Sequence, residues 1–152
     1  MTGLIFDTGV VLKLVVEEPL SPVVRKFVEI RQVAIPISRL VELEMENALQ
    51  TLCFRGRIHP VQLAAAKQLI RELFLAGRFR RIGLSLDKIA AETLALAPEI
   101  TRATGCRTLD LMHVATAKLL DAVEFVSTDK RQLKAAAACG LKTLDLEDGK
   151  PL

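Results

Sequence analysis

The sequence predicts an α/β protein with a central, mainly parallel sheet and helices on both faces. Short apolar runs recur along the chain, and longer stretches with helical spacing separate them, the pattern of a sheet covered on each side. The size agrees: 152 residues, 51% of them hydrophobic, suit a single domain over residues 1–152 with a continuous core.

The elements follow in order. "LIFD" (4–7) is the first strand. Glu17-Glu18-Pro19 breaks the chain, and "SPVVRKFVEIR" (21–31) then reads as a helix with Ser21 as N-cap and Pro22 in its first turn. "VAIPI" (33–37) is the second strand. Over 38–56, Val41, Met45, Ala48, Leu49 and Leu52 form the stripe of an amphipathic helix that Gly56 ends. Pro60 opens a further helix to about residue 76, with Ala64, Leu69 and Leu73 on its apolar side and Gly77 as its stop. "RRIGLS" (80–85) is a short extended piece, and 86–97 is helical. "TLDLMHVATAKLLDA" (108–122) predicts a helix capped by Thr108. "EFVS" (124–127) is a strand, 129–138 a helix ending near Gly140, and "LKTLDL" (141–146) the last strand.

Composition excludes several classes. A formal charge of +3 tolerates a polyanionic partner but falls short of a dedicated nucleic-acid coat. With no Trp or Tyr, an open stacking platform for single-stranded bases is not expected. Cys53, Cys106 and Cys139 are odd in number and widely spaced, which reads as reduced thiols rather than a disulfide framework or a zinc site. Asp7 interrupts the first apolar run and no basic stretch precedes it, so no signal peptide is expected, and no run is long enough to span a bilayer. The expectation is a soluble cytoplasmic protein, and the slight apolar surplus allows a homodimer.

The acids carry the chemistry. Asp7 closes the first strand and Asp129 follows "EFVS", where parallel sheets place their ligands, although Asp also serves in such turns as a helix cap. Asp110 shares a helical face with His113, Val114 and Ala117. A helix dipole stabilises a first-turn acid by about 0.3–1 kcal/mol, which suits an exposed Asp110 better than one on an apolar stripe. Glu44 falls within the apolar arc of 38–56 and Glu42 projects near it; periodicity leaves the choice open. Several carboxylates buried together cannot all ionise without compensation, and no Lys or Arg stands out as their partner. A hard divalent cation, Mg²⁺ or Mn²⁺, is the natural compensation, and such a site suits phosphodiester hydrolysis.

Four stretches, "FDTGVVLKLVVEEP", "ISRLVELEMENAL", "TLDLMHVATA" and "FVSTDKRQLKAAAACGL", together resemble the PIN-domain ribonucleases, most closely the VapC-type toxins of toxin–antitoxin pairs, over about residues 3–146. The resemblance implies a five-stranded sheet in the order 3-2-1-4-5, cleavage of RNA with Mg²⁺ or Mn²⁺, and a cognate antitoxin protein as partner. By motif it carries the catalytic acids onto Asp7, Glu44, Asp110 and Asp129, and it prefers Glu44 to Glu42 because the acid precedes Ala48-Leu49 by the family's spacing. Asp7, Asp110 and Asp129 would be metal ligands, with Glu44 a ligand through water or a positioner of the nucleophile. Thr8 and Thr128 have hydroxyls next to the site that could orient the acids. One departure is Gly9, where the family usually has Ser.

The residues admit other readings. Asp-Thr-Gly also marks the aspartic-protease dyad, but that dyad sits in an all-β fold and leaves the other acids unexplained. His113 reads either as a supporting or general-base residue or as a packed core histidine; His59 reads as a surface turn residue. Arg55, Arg57, Arg78, Arg80 and Arg81 flank helix ends or turns and are candidate RNA-phosphate contacts, or simply solvated cations. A PIN fold used as a binding or assembly module, and an RNA-processing nuclease without an antitoxin, are the alternatives in function.

Overall fold

The computed structural model describes residues 3–148. The elements run β1 (Leu4–Phe6), α1 (Thr8–Leu12), α2 (Ser21–Arg31), β2 (Ile35–Ile37), α3 (Arg39–Phe54) and α4 (Pro60–Leu75). They continue with β3 (Phe79–Arg81), α5 (Leu86–Thr104), α6 (Thr108–Leu119), β4 (Glu124–Ser127), α7 (Lys130–Ala138) and β5 (Lys142–Asp145).

All strand pairs are parallel. β4 lies between β1 and β5, with Ile5 opposite Phe125 and Phe125 opposite Thr143. β2 pairs separately with β3. The expected unbroken order 3-2-1-4-5 is therefore not fully realised: β1 and β2 lie side by side, but no ladder joins them among the described residues. Pro36 supplies a physical reason. Ile35 donates to Arg78 O and Ile37 O accepts from Ile82 N, so both flanking residues direct their backbone bonds at β3. The alternate position, Pro36, faces β1 and has no N–H to donate.

Strand alternation splits the core into two layers. Leu4, Phe6 and Val126 point to one face, against α1, α2, α3 and α4 through residues such as Val11, Phe27, Met45 and Leu49. Ile5 and Phe125 point to the other, against α5, α6 and α7 through Ile100, Leu111, Val114 and Ala136. With both faces covered, "LIF" is buried at every position, which explains its continuous apolar reading. Alanines in α6 and α7, including the fully buried Ala115, Ala117, Ala135 and Ala136, let these helices approach closely.

The departures from expectation are local. α1, a five-residue helix after β1, was not expected from periodicity, because one turn and a half shows no period. Ser21 does not cap α2: Leu20 occupies that position, while the Ser21 hydroxyl accepts from Glu18 N and donates to Val16 O. Arg107, not Thr108, is the N-cap of α6. Ala64 is exposed and Ala66 is the buried alanine of α4, so the helix rolls its small side, not Ala64, onto the core. α5 continues past residue 97 to Thr104 with Pro98 inside it, and Gly105 ends it at φ 66°. Pro98 removes one helical hydrogen bond, to the carbonyl of Leu94, on a side where Leu94 is exposed and water can replace it. No described helix is long and apolar enough to cross a membrane.

Candidate active site

Asp7 ends β1, and its backbone N–H still bonds to Val126 O of the neighbouring strand. Its extended backbone makes it the N-cap of α1, with Oδ1 accepting from Val10 N at 2.8 Å. Oδ2 accepts from the Ser127 hydroxyl at the end of β4. The side chain is buried. Burial pushes the Asp7 carboxyl above its ordinary range, while the Ser127 and Val10 hydrogen bonds and the charges of His113 and Lys13 pull it partly back. Lys13 is a cation that sequence periodicity did not identify: largely buried one turn beyond Asp7, it donates to Gly9 O and pairs with Glu18 Oε2 at 3.3 Å.

Glu44 lies on α3, which begins immediately beyond the carboxyl end of β2 where Ser38 caps it by accepting from Val41 N. Its Oε1 accepts from the Thr8 hydroxyl at 2.9 Å and contacts Nε2 of the buried His113. Burial pushes the Glu44 carboxyl up, but the hydrogen bond and charge of His113 together with Thr8 outweigh this and hold it below the usual range. Glu42 points elsewhere, to Arg39 at 3.4 Å and Arg81 at 3.1 Å. Tertiary structure thus separates two acids that periodicity could not.

Asp110 stands in the first turn of α6, with Oδ2 accepting from Arg107 N at 3.2 Å. Asp129 caps α7 through Oδ1, which accepts from Arg131 N and Gln132 N, and it is exposed. A buried polar pair links these acids to Asp7. Ser127 Oγ accepts from Asp129 N at 2.9 Å while donating to Asp7, and Gln132 Nε2 reaches Asp110 O at 3.4 Å. The Thr128 hydroxyl makes no hydrogen bond among the described residues; Ser127, its neighbour, does the orienting. Ser127 and Gln132 went unnoticed in sequence, although a Ser ending a fully buried apolar strand was a signal that its hydroxyl needed a partner.

Asp7 thus ends β1, Glu44 follows β2 on α3, Asp129 follows β4, and Asp110 joins them through the contact of its backbone carbonyl with Gln132. Among the described residues, however, no three His, Cys, Asp or Glu side chains converge in an arrangement ready to hold a metal ion. The donor set is all oxygen, and each acid keeps acceptor capacity beyond its present bonds, which fits a hard cation that retains several waters.

The candidate phosphate contacts divide. Arg55 and Arg57 lie beyond the far end of α3, with Arg55 about 16 Å along the helix from Glu44 at 1.5 Å per residue. That puts them away from the acids. Arg80 is the exposed middle residue of β3, whereas Arg78 precedes that strand. Arg81 is held by Glu42 and stacks over the Phe74 ring at 4.1 Å, so it is not a free cation.

A parallel α/β sheet with carboxylates at its strand ends defines the class. The chain belongs to the PIN-domain family, whose model matches residues 4–138. PIN domains are generally nucleases, and such nucleases typically use divalent metals. Among solved structures, FitAcB from Neisseria gonorrhoeae is similar at 15% identity, covering 95% of this chain and 98% of that one with a TM-score of 0.67. VapBC2 from Rickettsia felis, bound to a DNA fragment from their promoter, has 16% identity, coverage of 93% and 97%, and a TM-score of 0.65. PAE2754 from Pyrobaculum aerophilum has 19% identity, coverage of 97% and 91%, and a TM-score of 0.62. Among curated proteins no match was found. At these identities the structural likeness speaks for the fold.

Proposed function

We propose that the protein is a single PIN domain over residues 1–152 that hydrolyses RNA phosphodiester bonds with Mg²⁺ or Mn²⁺, as the toxin of a toxin–antitoxin pair. The observation that carries this reading is Asp7: a carboxylate buried at the strand-end crevice, hydrogen-bonded in a way that fixes both oxygens, in a chain of the PIN family. Burial raises the Asp7 carboxyl above its ordinary range, and a bound divalent cation would offset the cost of ionising it there.

Asp7, Asp110 and Asp129 would hold the ion. When bound, it would polarise a water and offset charge developing on the phosphoryl oxygens. Asp7 is aimed by Ser127 and Val10; Glu44, held on one oxygen by Thr8 and His113, is placed to orient the attacking water. Arg80, exposed, would be the phosphate contact. Resemblance to VapC-type toxins, and the VapBC2 complex among the structural neighbours, support an antitoxin partner. Homodimerisation and a cytoplasmic location belong to the same reading.

The test is cleavage of total cellular RNA by the purified chain, with new ends mapped by sequencing in Mn²⁺, Mg²⁺ and chelator, and with Asp7→Asn as control. Metal-dependent ends absent from the Asp7→Asn sample support the nuclease; equal ends from both proteins sink the ligand assignment. A small neighbouring gene for a DNA-binding protein would favour the toxin over an RNA-processing role. The alternative reading is a binding or assembly module. That module should ignore both Mn²⁺ and Asp7→Asn.

A further inference from the structure

We infer that Thr8 and His113 are positioning residues that commit Oε1 of Glu44 and leave this carboxylate to work through Oε2 alone. The inference deepens the nuclease reading and rests on it for its activity arm only.

Three elements meet at this oxygen. Thr8 comes from α1, Glu44 from α3 and His113 from α6, and the pairs are 36 and 69 positions apart in sequence. Thr8 Oγ1 also lies 3.2 Å from His113 Nε2, so the three polar atoms form a closed triangle. The Thr8 hydroxyl has one proton, and it goes to Oε1. If Nε2 were bare, two acceptors, Nε2 and Oε1, would face each other in direct contact with nothing between them. The ring must therefore carry a proton on Nε2 and donate it to Glu44. This holds for the neutral ring and for the cation alike.

The consequence is geometric. Oε1 takes two donors, one of them on a ring that is only 3% exposed and cannot swing away. Among the described residues no donor reaches Oε2. A glutamate with three rotatable bonds is thereby fixed before any substrate arrives, which lowers the ordering cost of engaging one. It also cannot grip a cation with both oxygens, because Oε1 is already occupied. The depressed carboxyl of Glu44 agrees with an anion held by donors.

The first readout is the ring nitrogens of the full-length protein labelled with ¹⁵N-histidine. The chain has two histidines, and exposed His59 serves as the internal reference. The expected result is a proton on Nε2 of His113, with a signal that shifts in Glu44→Gln while His59 stays still. A proton on Nδ1 only, or no response to Glu44→Gln, overturns the clamp.

The second readout is metal-dependent RNA cleavage. His113→Leu and Thr8→Val should each slow it about ten- to a hundred-fold, the scale of a misplaced catalytic group. His113→Gln, whose amide N–H can stand in for Nε2–H, should recover most of the loss. In a Glu44→Gln background, His113→Leu should cause no further drop, whereas an additive drop would mean that His113 acts elsewhere. If His113→Leu does not fold, Thr8→Val carries the same comparison. A clamp signal in a wild-type protein that cleaves nothing sinks the nuclease reading and leaves the clamp standing.

Discussion

Ser127, at the end of β4, donates its hydroxyl to Oδ2 of Asp7, at the end of β1, across 120 positions of sequence. Ser127 Oγ also accepts from Asp129 N and lies 3.2 Å from Gln132 Oε1. Because the hydroxyl has one proton, it serves Asp7 and leaves Gln132 Oε1 without it. Two strand ends and the start of α7 are thus registered on a single side chain.

This arrangement makes Asp7→Asn a substitution that should stabilise the metal-free protein. The amide nitrogen can donate to Ser127 Oγ, whose own proton then turns to Gln132 Oε1, so every group stays bonded. The folded-state pKa of Asp7 lies above its ordinary value of 3.8. The folded protein therefore binds the proton more tightly, and stability falls as pH rises from about 3.8 through the folded value. The expected outcome is a gain of about 1 kcal/mol at pH 7 in urea denaturation, shrinking toward pH 3.5, together with lost cleavage. An Asn variant that is clearly less stable at pH 7 would contradict the buried-charge account.

Asp129 has two separable duties. Asn can cap α7 as well as Asp, whereas Ala cannot. Asp129→Ala should cost about 1 kcal/mol and Asp129→Asn almost nothing, while both should lose cleavage. Thermal melts beside activity assays decide this; equal loss of stability in the two variants would mean that charge, not capping, holds the helix.

Glu124, at the amino end of β4 and so at the opposite end of the strands from Asp7 and Asp129, bonds to Arg31 and to Lys142 at 2.9 Å. Despite the burial that pushes it up, its carboxyl is held below its ordinary value of 4.5 by Lys142 and Arg31. A depressed folded pKa contributes stability above the unfolded value that is lost as pH falls through the folded one. Glu124→Gln should destabilise by about 1.5 kcal/mol at pH 7, with the difference vanishing in the acid limb and cleavage intact. A cleavage defect in a fully folded variant would show coupling between the two ends of the strands.

Gly9 tests the family's usual serine. A Cβ there would sit 3.6 Å from Asp7 Oδ1, an ordinary contact, and the position is exposed with no left-handed backbone. Gly9→Ser should fold and gain about 0.5 kcal/mol from helix propensity, measured by urea titration. Tighter Mn²⁺ binding by calorimetry would show that a hydroxyl there helps hold the site; unchanged binding would assign that work to Thr8 and Ser127.

Much of the frame was legible. Alternating short apolar runs and helical stripes led to parallel strands at four of the five places, because burial on both faces leaves a pattern that neighbours in sequence share; the third strand runs Phe79–Arg81 rather than over 80–85. Asp7 and Asp129 were legible as strand-end acids for the same reason. Arg81 was not legible as a bound cation, since its partners Glu42 and Phe74 come from other elements. α1 was too short to show a period, and α5 runs on through Pro98 to Thr104 beyond the expected end at residue 97.

By itself the sequence determined the fold class and the family, since those depend on local periodicity and on motifs read along the chain. Only the tertiary structure decided that Glu44 rather than Glu42 faces Thr8 and His113, that Ser127 aims Asp7, and that Pro36 interrupts the ladder between β2 and β1. Each of these is a contact between residues far apart in the chain. A hydrogen bond depends on where two groups meet in space, and no spacing along one strand or helix encodes that.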